Sequence, residues 1–248
     1  MQAYQIEQDL VISRALVEIF SHPVLGKSLA FRGGTALYKL HFRPPQRYSE
    51  DIDLVQIRAE PAGPVMTALR EVLEPWLGPA QWKQSAGRVT LNFRFDSEDQ
   101  PPIPLRLKVE INTREHFSVF GYQQERFEMA SRWFSGEADI CSYSLEELLG
   151  TKLRALYQRK KGRDLFDLAT ALDSGEASAP GIVEAFLEYM TREGHGVRRQ
   201  QFVQNMSEKM NDRKFTADIS PLLASGVKWN MHSAAERVSS ALFELLPE

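Results

Sequence analysis

Two stretches of this chain alternate apolar and polar residues with a period of two. In the first, Val89, Leu91, Phe93 and Phe95 are separated by polar neighbours; in the second, Leu105, Leu107, Val109 and Ile111 are. That period puts every second side chain on one face of a strand, so each stretch covers a core with one face and leaves the other polar. Arg106, Lys108, Glu110 and Asn112 share the polar face of the second strand. A third segment, Asp51 to Ile57, also reads as a strand, with Ile52 and Leu54 facing the core and Asp51 and Asp53 facing away. A sheet with a polar face is therefore the first constraint on the fold.

Helices are expected around these strands. Ile6, Leu10, Ile12, Leu16, Ile19 and Phe20 recur at helical spacing, and a second helix is expected from about Pro64 to Trp76. Ser28 to Phe31 is a short apolar run entering Gly33-Gly34, and the residues from Thr35 to Leu40 look helical, which makes a strand, glycine turn and helix. Pro44-Pro45 forces an extended loop. Segment 113–140 is expected to hold further short strands.

Beyond it the texture turns helical. Ser144-Leu-Glu-Glu147 opens a helix running to about Arg159. The basic tract RKKGR follows at 159–163, then a helix through DLFDLATAL that ends near Gly175. An amphipathic helix is expected near 233–245. The expected architecture is α+β: a mixed or mostly antiparallel sheet flanked by helices over residues 1–140, then a helical half over residues 141–248. The four tryptophans and fourteen phenylalanines fall mostly at core-like spacings and suggest no base-stacking platform.

Composition narrows the function classes. A hydrophobic fraction of 43% and a charged fraction of 25% describe an ordinary globular chain. A formal net charge of -3 gives no global attraction to nucleic acid, so any such site must be a local patch. One cysteine excludes an internal disulfide framework and suits a reducing compartment. The start lacks the basic and apolar regions of a secretion signal, and no apolar stretch approaches the roughly 20 residues that span a bilayer. The expectation is a soluble, cytoplasmic protein with no membrane partner. Five scattered histidines argue against a zinc site.

The residues that carry chemistry lie in RGGTALYKLHFRPPQRYSEDIDL, residues 32–54. Asp51 and Asp53 are two apart on a strand, with α-carbons roughly 7 Å apart and side chains on one face. Two such carboxylates are either merely wet or hold a hard cation such as Mg²⁺ between them. Glu110, on the polar face of its own strand, is the best candidate for a third carboxylate, which would complete a two-metal site for phosphoryl transfer. Gly33 and Gly34 let the backbone approach a ligand closely, and a helix starting at Thr35 directs free N–H groups at an anion, with the Thr35 hydroxyl as a further contact. The combination describes a triphosphate cradle beside a metal pair. Arg47 suits a phosphate, and Ser49 suits orientation of a metal-binding carboxylate; structural roles fit both equally.

Gly33-Gly34-Thr35-Ala36-Leu37, followed by Arg47-Tyr48-Ser49-Glu50-Asp51-Ile52-Asp53, resembles the nucleotidyltransferase fold as carried by the AbiEii/AbiGii family, toxin components of bacterial abortive-infection and toxin–antitoxin systems. Glu110 in LKVEIN matches the later strand acid of that pattern. KLRALYQRKKGRDLFDL, with Lys152, Arg159, Arg163, Asp164 and Asp167, is similar to its helical motif.

The resemblance implies a metal-dependent enzyme that moves a nucleotidyl group from a nucleoside triphosphate to an acceptor, with Asp51, Asp53 and Glu110 at the metal. It implies an RNA acceptor, the tRNA 3′ end first, and a cognate antitoxin. It also makes Lys152 a phosphate-contacting lysine, although spacing alone puts Lys152 beside a buried stripe where lysines commonly snorkel. Asp164 and Asp167 share a helical face and could orient Lys152 or Arg163, assist catalysis, or favour the helix N-terminus. Arg159, Lys160, Lys161 and Arg163 form either a solvated loop or an RNA-phosphate contact. Modification of a protein or small molecule, and non-catalytic nucleotide binding, are the alternative functions.

Overall fold

A computed structural model describes residues 2–248. The chain divides into two compact units, one through Tyr143 and one from Ser144 onward.

The first unit opens with helix α1 (Ala3–Ser21) and the single turn α2 (Leu25–Ser28), which lead into strand β1 (Leu29–Arg32). The glycine turn then starts helix α3 (Gly33–Ala36), two residues earlier than expected, and the helix widens into a π turn over Leu37–His41. Strand β2 (Asp51–Gln56) and helix α4 (Gly63–Leu77) follow. Next come β3 (Gln81–Ser85), β4 (Arg88–Asp96), β5 (Pro104–Asn112), β6 (Tyr122–Ala130) and β7 (Ser135–Tyr143).

The seven strands form one mixed sheet in the order β3-β4-β5-β2-β1-β7-β6. Its centre is β2, parallel to β5 and antiparallel to β1. Central placement explains why Ile52, Leu54 and Val55 are all buried, and why Leu91, Phe93, Leu107 and Val109 beside them are fully buried. The covering layer includes Ile12 and Leu16 of α1 and Leu69 and Leu73 of α4, also buried.

The fold departs from the sequence-based expectation over segment 113–140, at β3 and at the tryptophans. Segment 113–140 contributes a long hairpin, with nine residues in each of β6 and β7, rather than short strands. At the sheet's edge, β6 is exposed on one face and only partly covered on the other, where Phe127 alone is buried, which leaves little alternation to mark it. β3, at the opposite edge, is exposed at all five positions and buries no face that could impose a period. The tryptophans are not core residues: Trp82 and Trp133 are exposed, and Trp76 and Trp229 are half-buried.

The second unit is helical: α5 (Leu145–Gln158), α6 (Gly162–Ser174), α7 (Ala179–Arg192), α8 (Arg199–Met210), α9 (Arg213–Ala217) and α10 (Met231–Leu242). The Ser144 hydroxyl caps α5 by accepting from the Glu147 N–H at 3.2 Å. The Glu147 carboxylate accepts from the buried Tyr189 hydroxyl at 2.9 Å. Phe186, Phe202 and Phe243 pack as tilted rings in the interior, with ring centres 5.7 and 4.1 Å apart along the series.

Candidate active site

Asp53 lies between two neighbours fixed by register: Arg32 of β1 on one side and Glu110 of β5 on the other. Asp51, two residues earlier on the same face, lies opposite Lys108. The Lys108 ammonium sits 3.1 Å from Asp51 Oδ2 and 3.3 Å from Glu110 Oε2, bridging the two acids. The other oxygen of Glu110 meets Arg88 Nε at 3.2 Å. Arg32 pairs with Glu115.

Removal from water raises the pKa of Asp53, the Asp51 and Glu110 charges raise it further, and Arg32 and Lys108 only partly offset them. Burial alone would lower the pKa of the Lys108 ammonium, but Asp51, Glu110 and Asp53 outweigh it and hold the group above its ordinary value. The open face of the sheet thus carries three acids in excess negative charge, with a lysine drawn between two of them. Lys108 and Arg32 were not singled out in the sequence. Alternation had already put Lys108 on this face, whereas Arg32 closes a four-residue strand too short to show any period.

The glycine turn packs directly on the acid pair. Gly33 has φ of +84°, and a Cβ there would lie 2.4 Å from Asp53 Oδ2. The close approach demanded of this glycine is therefore to an aspartate side chain, and any larger residue would displace it. Gly34 is buried beside it. The Thr35 hydroxyl is turned inward, donating to the Asp51 carbonyl and receiving from the Ser49 hydroxyl at 2.6 Å. These two side chains tie the turn to the start of β2. Arg47 is also buried; it donates to the Tyr48 carbonyl at 3.0 Å, and its guanidinium lies 4.9 Å from the Tyr38 ring centre. Lys39, from the π turn, reaches Asp9 Oδ1 at 2.6 Å and the Ser13 hydroxyl at 2.7 Å.

Gly33→Ala tests the packing of the turn, with Gly121→Ala as its control. Gly121 has the same φ of +84° but nothing within 4 Å of a added Cβ. Both variants carry backbone strain of about 1–3 kcal/mol. Only Gly33→Ala is expected to lose enzymatic activity, because only it moves a functional carboxylate. Melting curves and activity assays on the pair would contradict this packing if the two variants behaved alike.

The donors suit a hard divalent cation. Asp51 and Asp53 present carboxylate oxygens from one strand face, Asp51 Oδ1 is buried with no hydrogen-bond partner, and an ammonium already stands between Asp51 and Glu110. Among the described residues, no three His, Cys, Asp or Glu side chains gather into a complete cation cage. Two carboxylates with the remaining positions left to water and substrate phosphates is how Mg²⁺ is commonly held.

In the helical unit, Lys152 is buried, with Nζ 3.3 Å from Asp164 Oδ1 and 2.9 Å from Asp167 Oδ2. Both aspartates are fully buried, and Arg159 closes on Asp164 with bonds of 2.7 and 2.8 Å. The remaining basic tract is also engaged: Lys160 pairs with Asp212, and Lys161 and Arg163 pair with Asp218. Asp212 and Asp218, about fifty residues downstream, carry no motif that would have revealed them as partners.

No functionally curated protein matches the chain in sequence. Its fold is shared with MenT4, a nucleotidyltransferase toxin from Mycobacterium tuberculosis H37Rv. That match has a TM-score of 0.68 and 18% identity, over 97% of this chain and 83% of that one. A protein from H. pylori described as a candidate nucleotidyltransferase matches at a TM-score of 0.61 with 15% identity, over 99% and 96% of the two chains. Among the described residues, no helix is long and apolar enough to cross a membrane. The family model described as "Nucleotidyl transferase AbiEii toxin, Type IV TA system" matches residues 14–237, a span that includes the glycine turn, both strand aspartates, Glu110 and the buried Lys152 cluster. The chain therefore belongs to the AbiEii family of nucleotidyltransferase toxins, enzymes that use a nucleoside triphosphate and whose toxin–antitoxin class implies an antitoxin partner.

Proposed function

We propose that the chain transfers a nucleoside monophosphate from a nucleoside triphosphate to an RNA acceptor, the 3′ end of tRNA first among candidates, as a cytoplasmic toxin restrained by a cognate antitoxin. The observation that carries this reading is the placement of Asp51 and Asp53 on one face of the central strand, beneath a glycine turn that only glycine fits. Asp51 and Asp53, with Glu110 beside them, would hold Mg²⁺, which when bound neutralises phosphate charge and polarises the α-phosphorus. The triphosphate lies against the Gly33–Gly34 turn, whose shape Thr35 and Ser49 maintain, with Arg47 supporting the loop before β2. An acceptor hydroxyl attacks the α-phosphorus, the new O–P bond forms as the bond to the β-phosphate oxygen breaks, and pyrophosphate departs. Glu110 takes the hydroxyl proton. Lys108 and Arg32 balance the acids around this step. By the resemblance of their motif, Lys152 and Asp164 are further candidates for a role in the reaction. Positioning and charge neutralisation supply most of the rate, which suits a site built from acids, a tight turn and lysines.

The test is incubation of the protein with each labelled nucleoside triphosphate, Mg²⁺ and total tRNA, beside Asp53→Ala. Label is expected in tRNA with the native protein, for one nucleotide above the others, and to vanish with the variant. Metal-dependent nucleotide binding without transfer to RNA would overturn the RNA acceptor and point to a protein or small molecule in its place.

A further inference from the structure

We infer that the open face of β4 and β5 beyond the acid pair, centred on Arg94 and Arg106, binds the phosphodiester backbone of a polynucleotide acceptor strand. The inference rests on the nucleotidyl-transfer reading for the identity of the acceptor, but the binding surface is defined independently of it.

Arg94 and Arg106 are directly opposite one another in the β4–β5 register. Side chains so placed have Cβ atoms about 4.5–5.5 Å apart, and like charges there repel. Both are exposed, and among the described residues neither makes an ion pair with any carboxylate. Asp96, two residues beyond Arg94 on the same face, pairs with neither. Among the described residues, about half of the other Lys and Arg side chains are paired with acids, including Arg159, Lys160, Lys161 and Arg163 of the basic tract. That tract was the sequence's most obvious nucleic-acid candidate, and its charges are spent on Asp164, Asp212 and Asp218. An opposed arginine pair left without counterion is a place where an anion between the two relieves repulsion, and a guanidinium pair suits phosphate oxygens.

Position supports the same conclusion. Arg106 precedes Lys108 by two residues on one face of β5, so it lies roughly 7 Å along the strand from the lysine that touches Asp51. Lys83 of β3, exposed and opposite Thr90, adds a third unpaired cation across the same face, with Asn92 between as a hydrogen-bonding group. The backbone beneath is pinned by Gln8 of α1, which donates to the Arg106 carbonyl at 3.1 Å. A strand whose terminal hydroxyl reaches the acids would lay its preceding phosphates along these arginines.

The experiment measures binding of a labelled 12-nucleotide single-stranded RNA by the native protein and by Arg94→Gln/Arg106→Gln across a salt series. The double variant is expected to bind about tenfold more weakly at low salt, with the slope of log affinity against log salt reduced by about 1.4, two phosphate contacts at roughly 0.7 each. Nucleoside triphosphate binding should be unchanged, which also checks the fold. Unaltered RNA affinity and slope in the double variant would overturn the inference, even if Asp53→Ala still abolishes transfer. So would polyglutamate binding the native protein as tightly as RNA through the same arginines, since an acidic polypeptide would then be the occupant. RNA binding that depends on both arginines in a protein that transfers nothing to RNA would uphold the surface while the transfer reading fell.

Discussion

Asp53→Asn is expected to reduce nucleotidyl transfer by about a thousandfold and, at the same time, to raise the melting temperature of the metal-free protein. Loss of one charged oxygen donor at the point where charge develops commonly costs a factor of that order. The stability gain follows from the opposite side of the same charge. Burial first, and Asp51 and Glu110 second, raise the folded-state pKa of Asp53 above its ordinary 3.8. A carboxylate raised in the folded state contributes stability below its ordinary pKa and loses it as pH climbs through the raised value. At neutral pH the raised pKa of Asp53 therefore weakens the fold, and asparagine removes that penalty, so the metal-free variant melts higher. Mg²⁺ with nucleotide should stabilise the native protein and not the variant, because only binding to the folded state shifts the melt. Scanning calorimetry with and without metal, beside a transfer assay, reads both effects. A variant that melts lower than the native protein, or that retains transfer, would contradict this account of the acid pair.

Lys152→Met is expected to destabilise the helical unit by about 3–5 kcal/mol, the usual consequence of deleting one partner from a buried ion pair. The methionine fills the lysine's volume, so the loss is electrostatic: Asp164 keeps Arg159, whereas Asp167 loses its 2.9 Å contact to the ammonium and stays in a dry interior. Asp167→Asn in the same chain should recover a large part of the stability, because the buried charge that the lysine helped to balance is then gone. Activity separates structure from chemistry. If the lysine serves only to neutralise Asp164 and Asp167, transfer returns with stability in the double variant. If it acts in the reaction, transfer stays lost in a protein that is folded. Urea unfolding of the native, single and double forms, with transfer measured on each, decides between them. No destabilisation by Lys152→Met would sink the buried-pair account.

The parts of the fold visible in the sequence were those with an unbroken period. β4 and β5 each have one buried and one polar face, and the sequence alternates accordingly. The helices with amphipathic stripes were likewise legible to within a few residues of their ends. β3 and β6 were not, because a strand at the sheet's edge buries little: no residue of β3 is buried and only Phe127 of β6 is, so neither has much reason to alternate. The acids of the site were visible as residues, and their companions were not. Lys108 becomes a partner of Asp51 only through the parallel register of β2 and β5, which joins segments more than fifty residues apart. Arg32 faces Asp53 only because β1 runs antiparallel to β2.

The basic tract shows how the same limit affects function. From sequence, RKKGR is either a solvated loop or a nucleic-acid contact, and nothing local distinguishes the two. The fold places Asp212 and Asp218 against it and uses its charge for internal pairing. Two of the arginines it leaves without an ion pair, Arg94 and Arg106, are twelve residues apart and unremarkable in sequence until the hairpin register sets them face to face.

By itself, the sequence determined what short-range chemistry can encode: the period of the strands, the cap at Ser144, the glycine turn, and two aspartates on one strand face. The tertiary structure alone decided what that chemistry meets. It set Gly33 against Asp53, drew Lys108 between Asp51 and Glu110, and buried Lys152 with two aspartates. The reason is physical: periodicity and capping act over a few residues, whereas Coulomb and packing interactions act through space, between groups whose proximity only strand pairing and helix packing create.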